Sequence, residues 1–102
     1  MSPALSVVQL DMQAFCEASD LPVAYVIEIV EHGILEPQGR SPEAWRFLDH
    51  ELVIARRAAK LRHDLELEWE GVALALELLG EVRELRAENR MLRQRLDRLV
   101  DE

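Results

Sequence analysis

A seven-residue repeat near the C-terminus is the strongest constraint on what this chain of 102 residues can fold into. With Ala75 at position a, Val82, Asn89 and Leu96 fall at the later a positions. Leu78, Leu85, Leu92 and Leu99 fall at the d positions. Apolar residues in this spacing form the seam of a helix that packs lengthwise on another helix, and Ala75–Leu99 would be a rod roughly 37 Å long. Asn89 is the polar exception in the seam, and such a residue selects register and two-strand association at some cost in stability. Glu81 at g precedes Arg86 at e, and Glu88 precedes Arg93 in the same relation. These pairs suit a parallel homodimer, although exposed ion pairs contribute only about 0–1 kcal/mol each. Arg95 and Val100 break the charge pattern near the end, and an antiparallel dimer or an intrachain packing partner is the competing arrangement.

The first half is built of shorter pieces, and its punctuation marks where they begin and end. Leu5–Leu10 includes Val7 and Val8 and suits a short extended segment. Asp11 is placed to cap a helix over about Met12–Ala18, with Phe15 and Cys16 turned inward. Asp20 as cap and Pro22 in the first turn then start a second helix, Val23–Glu31, whose Val23, Val26, Ile27 and Val30 share one stripe. Two short helices separated by Ser19–Pro22 make a helix-turn-helix. Gly33 closes the second helix and Pro37 prevents its continuation. Ile34 and Leu35 then begin a small strand, Gly39, Ser41 and Pro42 turn the chain, and Trp45–Phe47 returns as a second strand with Trp45 and Phe47 on one face.

A third helix runs from a cap near Asp49 to about His63. Its periodicity breaks over Asp64–Glu68, and Trp69 sits at that corner as a lid on the core. The expected fold is therefore mainly α: a winged helix-turn-helix with a small β wing, followed by two helices, the last long and coiled-coil-like. Residues 1–68 would hold the winged module and the helix after it, and residues 69–102 the long C-terminal helix with its dimerisation seam, in one integrated domain.

Charge decides between the functions such a shape can serve. The chain has 20 Asp plus Glu against 12 Lys plus Arg, a formal net charge of −8. Residues 1–39 carry six acids and no Lys or Arg, residues 40–69 carry six of each sign, and residues 70–102 carry eight acids and six arginines. A nucleic-acid surface is ordinarily basic, so direct nucleic-acid binding is disfavoured, and a basic protein partner fits better. The second helix would be the DNA-reading one, yet it carries Glu28 and Glu31, with Glu36 just beyond. Arg40 and Arg46 in the wing, and Arg56, Arg57, Lys60 and Arg62 farther on, keep a DNA-binding regulator as the alternative.

Asp20, Glu28, Glu31 and Glu36 are accordingly the candidate protein-binding residues, with Trp45 and Trp69 organising their support. The acids Glu70, Glu77, Glu81 and Glu84 of the last helix are a second possible contact side. Catalysis finds no foothold. His32, His50 and His63 are not spaced as a metal motif, Cys16 completes no zinc pattern, and no glycine loop for phosphate is present. No cofactor is expected. One cysteine rules out an internal disulfide framework. No signal sequence or membrane-spanning run is recognisable, so the expected setting is cytoplasmic.

The order of several motifs is more specific than these patterns. Trp45-Arg46-Phe47, Asp49-His50, Arg57-Ala58 and Leu61-Arg62-His63-Asp64-Leu65 follow one another. Then come Glu68-Trp69, Gly71, Ala73, Ala75-Leu76, Glu88-Asn89-Arg90 and Leu92-Arg93-Gln94-Arg95-Leu96. In these the chain resembles the CbpM family of chaperone modulators over about Val7–Val100, a family whose N-terminal architecture is similar to MerR-type winged helices. The resemblance implies a cytosolic bacterial regulator of the DnaJ-like co-chaperone CbpA. Such a regulator binds the partner's J-domain, restrains its cooperation with the Hsp70 chaperone DnaK and weakens its nucleoid-associated activity. Where MerR regulators read DNA with cations, this chain has Glu28 and Glu31.

Overall fold

The computed structural model describes residues 8–101, with β1 at Gln9–Leu10, α1 at Met12–Ser19, α2 at Val23–Glu31, β2 at Phe47–Leu48, α3 at Glu51–Leu65 and α4 at Trp69–Val100. The expected extended segment begins at Leu5, and its first residues lie outside those described. Helix α1 starts as its sequence dictates, because the Asp11 carboxylate accepts the Ala14 N–H at 2.8 Å. It ends on Asp20, which sits in the left-handed region at φ 59°. Asp20 therefore closes α1 instead of capping α2: the Leu21 N–H reaches back to the Cys16 carbonyl at 3.1 Å. Short polar side chains are among the few that tolerate that conformation. Pro22 takes the cap position of α2, one place before the first turn expected for it.

Helix α2 closes in the same way at Gly33, with φ 74° and the Ile34 N–H bonded to the Ile29 carbonyl at 3.0 Å. Its inner line is Val26 and Ile29, both fully buried, with Ile27 and Val30 half-buried. Val23 belongs to the expected stripe but lies exposed in the first turn of the helix.

The wing differs from expectation in its pairing. Ile34 and Leu35 form no strand, since Leu35 turns into the core and Pro37 has no N–H to offer a ladder. Gln38 is where pairing begins, exchanging two backbone hydrogen bonds with Arg46 at 3.2 and 2.9 Å. The segment then continues as β2, antiparallel to β1 with Gln9 opposite Leu48 and Leu10 opposite Phe47. Between the two arms runs a single 3₁₀ turn, Pro42–Ala44.

The core gathers where these pieces meet. Phe15 of α1 and Phe47 of β2 stack with centroids 4.2 Å apart, and Trp45 meets Phe47 edge-on at 6.3 Å. Ala55 and Ala58 of α3 are fully buried, their small side chains letting α1 and α2 come close. Helix α3 has no side-chain N-cap; the buried Glu51 carboxylate instead accepts the Leu48 N–H at 2.8 Å and ties the helix to β2. The expected break between the last two helices is a left-handed turn at Glu66. Helix α4 follows for 32 residues, about 48 Å at the usual rise. Only its start is buried, at Trp69 and Val72, and every described residue from Glu81 on is exposed.

The turn of the wing makes one sharp demand. Gly39 has φ 114°, and a Cβ there would run into the Ala44 carbonyl group. Gly39→Ala is expected to lower stability by about 2 kcal/mol or more, from backbone strain and the clash together, measured by chemical denaturation.

Candidate protein-docking surface

The four candidate acids do not converge on one point. Asp20 lies in the turn between α1 and α2, where the Arg56 guanidinium of α3 also donates to the Ala18 carbonyl. Glu31 is at the opposite end of α2, about 12–16 Å farther along. Glu36 borders a separate cleft of about 260 Å³ beside Gln38, Arg46 and His50. Glu28 and Glu31 alone share one stretch of surface, the C-terminal half of α2.

That stretch extends onto α4 through a residue the sequence did not single out. His32 follows α2, and its Nδ1–H donates to the Glu28 carbonyl at 2.8 Å. The same nitrogen is 3.4 Å from the Glu28 carboxylate, while Nε2 is 3.5 Å from the Glu70 carboxylate in the first turn of α4. Glu28, Glu31 and Glu70 therefore belong to one acidic region spanning two helices. The alternative contact side on the last helix is continuous, at Glu70, with the first.

Beside it lies a depression of about 430 Å³, lined by Ile34, Val53, Ile54 and Leu76 together with the charged Arg57, Glu77 and Arg83. Val53 is 63% exposed at its rim. No motif reveals this depression, because its apolar residues come from three segments distant in sequence.

Trp45 and Trp69 are both buried, at 9% and 6% exposed, so they underlie the surface and form no part of it. Trp69 meets Tyr25 of α2 edge-on at 5.3 Å, and the Arg62 guanidinium lies over both rings at 5.0 and 5.5 Å. This cluster fixes α2 against the start of α4, and with it the relation of Glu28 to Glu70.

Several cations that could have served DNA are engaged at home. Arg46 donates to its neighbour's Trp45 carbonyl at 2.9 Å, Lys60 pairs with Asp64 at 2.7 Å, and Arg62 is spent on the aromatic pair. The Lys60 ammonium holds the Asp64 carboxyl below its usual range, with His63 adding to the effect. Burial pushes the Cys16 thiol up, the wrong direction for a nucleophile. Among the described residues no group of three or more His, Cys, Asp or Glu could hold a metal ion, and no helix is long and apolar enough to cross a membrane.

The candidate seam is open along α4. Leu78, Val82, Leu85, Leu92, Leu96 and Leu99 are between 39% and 71% exposed. Asn89 accepts a hydrogen bond from Arg93 Nε at 2.7 Å within the helix.

The fold class has an independent match: residues 10–94 fit the family described as MerR HTH family regulatory protein. The chain is also 64% identical over 94 residues to the chaperone modulatory protein CbpM of Pseudomonas putida strain W619, covering 92% of this chain and 93% of that protein. It is 62% identical to CbpM of Pseudomonas entomophila strain L48 over the same shares of both chains. CbpM of Escherichia coli O139:H28 is 42% identical over 86 residues, 84% of this chain and 85% of that one. The chain belongs to the CbpM family of chaperone modulators, built on a MerR-like winged helix-turn-helix. Its role is therefore to modulate another protein's chaperone activity, and not to catalyse.

The acidic end of α2 runs against helix electrostatics. The C-terminus of a helix carries partial negative charge, and α2 has no basic residue in its last turn. Replacing Glu31 by Lys is expected to keep the fold and raise its stability by about 0.3–1 kcal/mol at low salt. A thermal melt of the variant beside the parent checks this, and a fall in melting temperature would contradict it.

Proposed function

We propose that this chain binds the J-domain of a CbpA/DnaJ-like co-chaperone through the surface of Glu28, Glu31 and Glu70. Occupying that J-domain prevents it from stimulating Hsp70. The observation that carries the reading is the acidic, cation-free second half of α2, at the position where a DNA-reading helix would present cations. A J-domain engages Hsp70 through a basic helix and the adjacent His-Pro-Asp loop. An acidic cover on that helix makes the two engagements mutually exclusive, and the depression beside His32, with Ile34, Val53, Ile54 and Leu76 in its lining, offers a seat for an anchoring side chain. Asp20 and Glu36 lie at the margins and contribute chiefly to long-range attraction. Trp45 and Trp69 act from beneath, by holding the helices.

In this reading residues 1–68, with Glu70 at the start of α4, form the docking body, and residues 69–102 carry the seam of a homodimer. Direct binding to DNA is not part of the function. The protein works in the bacterial cytoplasm, reaches the nucleoid only through its partner, and needs no cofactor.

Charge reversal at the docking surface tests the proposal. Glu28→Lys/Glu31→Lys is expected to weaken J-domain affinity about tenfold or more, mainly through slower association, and to flatten its dependence on salt. The variant should also lose most of its suppression of J-stimulated Hsp70 ATP turnover. Unchanged affinity in a variant that circular dichroism shows to be folded would place the contact elsewhere. Gain of tight, sequence-specific duplex binding by the parent would favour the MerR-like transcriptional alternative.

A further inference from the structure

Two arginines interrupt the acidic character of the molecule close to the docking surface. Arg57 of α3 and Arg83 of α4 both line the depression beside His32, with Ile34, Val53, Ile54 and Leu76. Both also line a second depression of about 300 Å³, whose apolar residues are Leu61 and Leu79. The two hollows therefore meet at the arginines and make one groove between α3 and α4, apolar at either end and cationic in the middle. Helical spacing brings this about. Arg57 lies one turn beyond Val53 and Ile54, and Arg83 lies seven residues beyond Leu76, on the line of α4 that packs against the body.

The charges in this groove are not balanced within the chain. Among the described residues neither Arg57 nor Arg83 belongs to an ion pair, and Lys60 and Asp64 beside them neutralise each other at 2.7 Å. Glu77 is the one remaining carboxylate in the lining. One positive charge is thus left over for an occupant, in a chain whose formal net charge is −8. Two guanidinium groups facing one hollow repel each other, and a carboxylate placed between them relieves both. Their planar donors suit a carboxylate better than an ammonium would.

We propose that this groove holds a short segment of the docked co-chaperone in which an acidic residue is flanked by apolar ones. The inference rests on the J-domain reading above and adds what the partner presents beside its basic helix. The carboxylate meets Arg57 and Arg83 while its apolar neighbours enter the hollows on either side. The groove is continuous with the acidic region, since His32 lines it while reaching both Glu28 and Glu70. A stable protein interface covers about 800 Å² on each partner, more than three carboxylates and an imidazole present. A partner seated on the acids therefore covers the groove as well. The docking surface has two poles, negative at the end of α2 and positive between α3 and α4. A partner that is basic throughout is drawn to the first and repelled by the second, so the arginines select among J-domains of similar overall charge.

Reversing the arginines separates this groove from attraction by overall charge. Arg57→Glu/Arg83→Glu makes the chain still more acidic, so net charge alone predicts tighter binding of a basic J-domain. The groove requires the opposite. Titrated with the isolated J-domain of the DnaJ-like co-chaperone from the same genome, the full-length variant should bind about tenfold or more weakly than the parent. Arg57→Gln/Arg83→Gln should weaken binding by a smaller factor, and it decides the matter if circular dichroism finds the Glu pair unfolded. Acidic residues of the J-domain that have apolar neighbours are then changed to Lys one at a time. One such J-domain should bind the Glu variant more tightly, and the parent more weakly, than the unaltered J-domain does. Arginine variants that bind as well as the parent or better, or the lack of any such exchange, overturn the groove and leave the acidic docking surface standing. A parent chain that does not bind the J-domain overturns the docking reading itself.

Discussion

The stack of Phe15 on Phe47 is the contact on which the other parts depend. One ring comes from α1 and the other from a strand more than thirty residues later, and both are fully excluded from solvent. Together they hold the helix-turn-helix against the wing. Because Phe47 also pairs with Leu10 through β2 and β1, the stack fixes where the chain enters α1. Trp45 closes the outer side, and α3 is drawn in through the bond from Leu48 to Glu51. A second aromatic group, Tyr25 and Trp69 with Arg62 over both, passes this order on to α4. The proposed docking surface thus spans two helices whose relation is set by buried rings.

The surface itself is expensive in local terms. Three carboxylates gather where α2 ends and α4 begins, and two of them sit at the negative end of α2. His32 offers only partial relief, reaching Glu28 and Glu70 but not Glu31. Arrangements that oppose local stability in an otherwise consistent fold are where function is expected. Membership of a family of chaperone modulators agrees with that reading, since modulation requires a surface and no catalytic centre.

Much of the fold was legible where one residue dictates one local outcome. Asp11 capped α1, Gly33 closed α2, and the broken periodicity over Asp64–Glu68 became the turn before α4. Sequence reading failed where tertiary contacts choose between equivalent local options. Asp20 is as good a start for one helix as an end for another, and the backbone of Cys16 decided it. Val23 and Ile29 are equally apolar, and the docking of α1 and α3 buried only the second. Leu35 fits a strand by propensity but was needed in the core. In the candidate site, Glu28 and Glu31 could be read together because one helix carries both. Their link to Glu70 through His32 crosses 38 residues, and no spacing rule reaches that far. The depression around Val53 escaped for the same reason.

The central claim is that this acidic winged module holds a J-domain. Titration of the full chain with the isolated J-domain of the DnaJ-like co-chaperone from the same genome, followed by calorimetry, tests it most directly. Saturable binding at one J-domain per chain, weakening steadily as salt is added, is the result expected. Absence of heat and of complex at hundreds of micromolar, with a chain that is folded by circular dichroism, would contradict it.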